Sequence, residues 1–297
     1  MNIYTINWFL LLILSAIWGG AFTLNKYALE IYSPEVIVAG RLIVGALLLM
    51  LIILIRNKKI DIKLSDWRYY SFMSMVGIVI PFLLISYGQI KIDSSLAGIL
   101  MATMPISTIL LSHIFLDDES LTGSKLFGFL IAFLGIIILI MPEIFFLPEI
   151  TNDILSELMV ISGAILYSCS AVYGKKYKIT NPLNASTGTI FYSAVAMLLY
   201  LFSIETEIND VISYPHIISI ASLGIFCTAI ATIIYFQILQ TSGASFISIM
   251  NYLIPIWSII FGVVFLQEGI YWNYFLGLII IIYGIRLSQK GIKKPQT

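Results

Sequence analysis

Charge is what this chain has least of. Only 11% of its 297 residues are charged, where a soluble domain carries roughly 25%. The chain therefore lacks the polar cover that a water-facing surface needs. A surplus of either sign is missing too, since 16 Lys and Arg balance 16 Asp and Glu. That removes the basic footprint on which nucleic-acid binding depends. Cysteine is limited to Cys169 and Cys227, both within apolar runs. Two such residues form neither a disulfide framework nor a metal-ligand spacing, and each reads as a small packing residue. No Gly-x-x-x-x-Gly-Lys phosphate loop occurs, so ATP-driven pumping is absent from the chain. No cofactor and no metal is implied.

Apolar residues are what remains: 60% of the chain is hydrophobic and the mean hydropathy is +1.00. A membrane-crossing helix needs about 20 mostly apolar residues. That ruler gives ten spans, near 7–28, 35–56, 67–88, 94–116, 123–141, 157–177, 184–204, 214–238, 243–266 and 271–288. Long continuous runs exclude strands, whose open edges lipid cannot satisfy. The first span lacks a basic flank and a cleavage site and reads as a retained helix. The fold class expected is an all-α membrane protein of ten helices with short connections. All 16 acidic residues fall in loops or at span ends, which leaves coupling through a buried carboxylate unsupported.

Orientation follows from the basic residues. With the N-terminus inside, the inner segments hold 13 Lys and Arg and the outer side only Lys26, Arg41 and Lys91. Counting acids as well, the balance is +8 inside and −8 outside, so both termini are expected to face the cytoplasm.

The two halves repeat at an offset near 149 residues. Trp18 matches Tyr167, Lys26 matches Lys175, Glu119 matches Glu268, and Gly128 and Gly135 match Gly277 and Gly284. Pro105 matches Pro255 at one residue more, and Tyr87-Gly88-Gln89 echoes Tyr235-Phe236-Gln237 at one fewer. Five spans is an odd number, so the second half must be inverted. Such repeats recur in secondary transporters, with the solute site near the midplane between the halves.

Ala16-Ile17-Trp18-Gly19-Gly20-Ala21-Phe22 with Lys26, Arg41 after Pro34, Pro105 with Glu119, Gly128 and Gly135, and their second-half counterparts carry a resemblance to a known family. The chain resembles the EamA family of the ten-span drug/metabolite transporter superfamily. The resemblance implies two EamA repeats, at 8–140 and 157–287, and a central cavity open alternately to either side. It implies, often, export of small metabolites such as amino acids.

Candidate site residues lie mainly on two faces. In the ninth span Ser248, Asn251, Pro255, Ser258 and Gly262 share one helix face, and Gly98, Met101, Pro105, Thr108 and Ser112 repeat it in the fourth. Each mid-helix proline frees the carbonyl four residues back, on Met101 and Asn251, making Pro105 and Pro255 candidate hinges. A cavity wall and a tight small-residue helix contact both fit this pattern. Trp18, Tyr87, Tyr167, Tyr235 and Trp257 supply aromatic groups that suit a cavity or a core. The candidate solute-binding set is therefore Trp18, Tyr87, Thr108, Tyr167, Tyr235, Ser248, Asn251 and Trp257. The paired glycines read as packing faces. Lys26 and Arg41 lie toward the outer ends of their helices, with Glu30 and Glu35 close by for local pairing.

The function this supports is a secondary transporter that moves a neutral or zwitterionic metabolite across the cytoplasmic membrane. An intramembrane lipid-modifying enzyme is the competing reading, although the one acidic cluster, Asp117-Asp118-Glu119, sits in a short loop. A channel is the third. Expected partners are a small-molecule solute and membrane lipid, with no nucleic acid, in a monomer or homodimer.

Overall fold

Apolar runs of this length can satisfy their backbone in lipid only by coiling, and the computed structural model consists of ten helical rods. It describes residues 3–55, 66–116, 122–146, 151–177, 182–204, 212–247 and 250–289, and no strand occurs among them. The rods are α1 (Ile3–Ala28), α2 (Pro34–Ile55), α3 (Trp67–Gln89), α4 (Ser94–Phe115) and α5 (Gly123–Phe146). They continue with α6 (Thr151–Tyr177), α7 (Pro182–Ser203), α8 (214–247), α9 (Met250–Leu266) and α10 (Trp272–Gln289). Proline opens α2 and α7 and sits in the first turn of α8, where its missing N–H costs nothing.

Two rods extend well beyond the spans expected from hydropathy. α8 does not break at 239–242 but continues to Ile247. Its polar residues are satisfied sideways: Asn7 Nδ2 donates to Ser242 Oγ at 2.6 Å, and Thr241 Oγ1 donates to Asn7 Oδ1 at 3.1 Å. α6 begins at Thr151 rather than 157, which carries Glu157 nearly two turns into the helix, where it is fully buried. Glu157 thus stands in the first turn of the apolar stretch Ile154–Tyr177, at a span end as expected, but buried rather than facing water.

Irregular turns fall at repeat-related places. α3 widens into a π-turn at Met75–Val79 and α8 at Leu223–Ile230, one repeat length apart. α4 tightens into a 3₁₀ turn at Met101–Thr103, just ahead of Pro105.

The packing maps onto itself when each helix is exchanged for its repeat mate. α1 lies on α9 as α6 lies on α4, and α1 meets α8 as α6 meets α3. The self-related pairs α2–α7, α4–α9 and α5–α10 complete the set. Ten successive crossings alternate in direction, so helix n and helix n+5 run oppositely and the two five-helix repeats are inverted. Between α5 and α10 the glycine pairs allow close approach: a Cβ on Gly277 would stand 2.5 Å from Leu139, and one on Gly284 2.5 Å from the Ala132 nitrogen. The outward faces carry Leu47, Leu51, Phe127, Leu130, Leu199 and Ile279 exposed, as contact with hydrocarbon requires.

One departure from the symmetry matters. α1 packs against both α3 and α4, whereas the mate contacts, α6 with α8 and α9, have no comparable packing among the described residues. The extra packing of α1 closes the bundle at the end that carries Lys26.

Candidate functional site

The polar face of α1 turns inward. Ser15 and Asn25 on it are buried and Trp18 is half-buried. The Trp18 indole N–H donates to the Cys227 carbonyl at 3.1 Å, inside the π-turn of α8. Its ring leans on Tyr235, with centroids 5.8 Å apart. The π-turn also re-aims Thr228, whose hydroxyl reaches the Leu223 carbonyl five residues back at 3.0 Å.

Arg41 meets this wall from α2. It is only 8% exposed, and its Nη2 lies 3.4 Å from Thr228 Oγ1. The guanidinium carbon sits 3.9 Å over the Phe82 ring of α3, a cation–π contact. Tyr167 of α6 pairs with the same Phe82 ring at 6.3 Å and faces the Arg41 charge. Four helices therefore converge on Arg41, and its Nε is buried with no hydrogen-bond partner. Among the described residues no carboxylate pairs with it. Glu35, the local partner expected from sequence, instead accepts a hydrogen bond from the Tyr87 hydroxyl. The spacing held the clue, because residues six apart on a helix lie about 240° apart and do not face each other.

The other candidates disperse. Thr108 joins α4 to α6 through Ser168 Oγ at 3.1 Å. Tyr87 lies at the Lys26 end, and Trp257 stacks on Phe261 with centroids 5.4 Å apart. Asn251 is half-buried beside Met250, which packs in one cluster with Trp18 and Tyr235. Ser248 lies outside the described residues. On the small-residue stripe, Gly98, Ser258 and Gly262 are buried, with Gly98 directly against Ser258, so that part is an α4–α9 packing contact. Pro255 is buried inside α9, while Pro105 follows the 3₁₀ turn of α4. That turn engages the Met101 carbonyl, which accepts from the Met104 N–H rather than lying open.

The Lys26 end is closed by a polar lattice. Lys26 Nζ donates to the carbonyls of Gln89 at 2.7 Å and Ile92 at 3.0 Å, capping the end of α3. Glu268 accepts from the Ser94 and Ser95 amides at 2.6 and 2.9 Å, capping the start of α4. Asn25 donates to Gln89 Oε1 at 2.9 Å and accepts from Ser86 at 3.0 Å. Glu30 meets His216 Nε2 at 3.2 Å. Asp93 sits beside this lattice, its carboxyl pushed above the ordinary range by burial and then by Glu268, against the pull of Lys26. A separate cavity of about 540 Å³ between α1, α8 and α9 has an almost wholly apolar lining. It is bounded by the exposed Phe226 and Phe265, which open it toward the lipid side.

Ten membrane-length or shorter apolar helices in two inverted repeats around a polar centre define a transporter-type membrane fold. The sequence profile of the EamA-like transporter family matches residues 6–141 and 154–288, and the chain belongs to that family. It is 25% identical over 273 residues to a protein of Bacillus subtilis (strain 168) named uncharacterized transporter YoaV, covering 92% of both chains. An uncharacterized transporter of Archaeoglobus fulgidus is 26% identical, covering 94% of this chain and 97% of its own. A solved crystal structure shares the fold with a TM-score of 0.68 at 17% identity, covering 96% of this chain and 97% of its own.

Proposed function

We propose that this protein is a secondary carrier that exports a small metabolite across the cytoplasmic membrane by alternating access, with both termini in the cytoplasm. The observation that carries the reading is the broken symmetry of the repeats. A carrier must close one end while the other opens, and inverted repeats achieve this by exchanging conformations. Here the Lys26 end is latched by Lys26, Glu268 and the Asn25–Gln89 pair, while among the described residues α6 lacks the packing on α8 and α9 that α1 makes on α3 and α4. The basic surplus at the Lys175 end supports its cytoplasmic orientation, so the latched Lys26 end is the outer one. The relatives' names as transporters agree with the class.

Paired cysteines test the cycle in a chain freed of Cys169 and Cys227. Asn25→Cys with Gln89→Cys probes the closed end, and Gly174→Cys with Gln237→Cys probes its mate. Each pair should cross-link in turnover conditions, and each cross-link should stop counterflow in proteoliposomes until reduced. A transporting protein in which the Gly174 and Gln237 pair never cross-links would falsify alternating access. Flux that rises linearly with solute and shows no counterflow would favour a channel.

A further inference from the structure

The repeat provides an internal control for Arg41. Helices α2 and α7 both open on proline and carry Gly40 and Gly188 at the same step, so the mate of Arg41 in the second half is Thr189. Thr189 is 4% exposed and turns its hydroxyl back onto its own helix, donating to the Ala185 carbonyl at 2.8 Å. The same helix position is thus built twice, once with an arginine and once with an uncharged threonine. The fold needs no cation there. An uncompensated charge taken out of water is costly, and a guanidinium within the membrane marks a functional position.

What the site leaves open identifies its complement. One face of the guanidinium is covered by Phe82, Thr228 makes a long contact to Nη2, and the buried Nε has no partner. Nε and Nη2 together form the edge that grips a carboxylate with two parallel hydrogen bonds. Tyr167 supplies apolar ring surface beside it. We infer that Arg41 docks the carboxylate of the transported solute, so the substrate class is a monocarboxylate or amino acid with an apolar body. This rests on the carrier reading above and sharpens it, because the neutral or zwitterionic solute expected from sequence is now required to carry a carboxylate.

The test uses the full chain and matched probes: alanine, leucine and phenylalanine, the amide of each, and 3-phenylpropanoate. Binding is read from the thermal unfolding of detergent-solubilised protein, and transport from counterflow in proteoliposomes. At least one carboxylate should bind better than its amide. Arg41→Gln should cut that affinity about 10- to 100-fold, the value of a charge-assisted pair, and leave amide binding unchanged. Should R41Q fail to fold, Arg41→Lys should give about a tenfold loss, since an ammonium lacks the planar fork. Carboxylates that bind no better than amides overturn the inference, as does full carboxylate affinity in either variant. Binding that depends on Arg41 without any flux would uphold the site and remove the carrier reading. Flux of amides alone would do the reverse, and neither binding nor flux would remove both.

Discussion

Arg41 begins seven residues along α2, about 10 Å from the start of the helix at 1.5 Å per residue. A long side chain so near an end ordinarily snorkels to water, yet this one lies flat over Phe82 inside the bundle. Its residue type was plain in the sequence, but its direction was not, because direction depends on which neighbours α2 packs against. Glu157 illustrates the same limit: its depth depends on where α6 starts, and hydropathy places helix ends poorly when polar residues are buried. Asp93 gives a residue-scale prediction. Its carboxyl titrates above the ordinary range in the folded state, so the native state holds its proton more tightly and stability falls as pH rises through that window. Asp93 makes no side-chain cap bond, so Asp93→Asn loses none. D93N should melt higher than the parent at neutral pH, and the gap should close under mild acid. A gap that widens in acid would reverse the sign of the argument.

At the scale of elements, glycine spacing was legible and helix ends were not. Two glycines seven apart on α5 and again on α10 predicted a close face, and the two rods meet there. Gly284→Val should force them apart and cost about 1–3 kcal/mol by overpacking, read as a lower melting temperature. Glu268→Gln keeps the shape of the α4 cap but removes its charge. Destabilisation of about 1 kcal/mol is expected, accompanied by easier cross-linking of the Gly174 and Gln237 pair. For Pro255→Ala, α9 regains a backbone donor and loses its bend, and turnover should slow while solute affinity changes little. The π-turns of α3 and α8 escaped the sequence reading entirely. A π-turn depends on one residue too many in the local register, and apolar periodicity does not register a single such insertion.

For the whole molecule, the ten crossings and the inverted repeat were visible because rare residues, Pro, Lys, Glu and paired Gly, fall near one offset. The polar centre was only half visible. Trp18, Tyr167 and Tyr235 stood out as aromatic groups within spans; the structure sets Tyr167 facing a cation that sequence spacing had assigned to a surface pair, and joins Trp18 to Tyr235. The repeat showed where the halves agree, whereas the substrate chemistry proposed above lies where they differ, at Arg41 against Thr189.

The latch at the Lys26 end acts as a weight on one side of a balance. When two states differ by only a few kcal/mol, removing one contact there shifts the population by the whole free energy of that contact, about tenfold for each 1.4 kcal/mol. A substitution that loosens the Asn25–Gln89 pair and one that loosens its mates at the opposite end must therefore push the equilibrium in opposite senses. Introduced together, the two should cancel, leaving a protein that is less stable overall yet divides its time between the two openings much as the parent does.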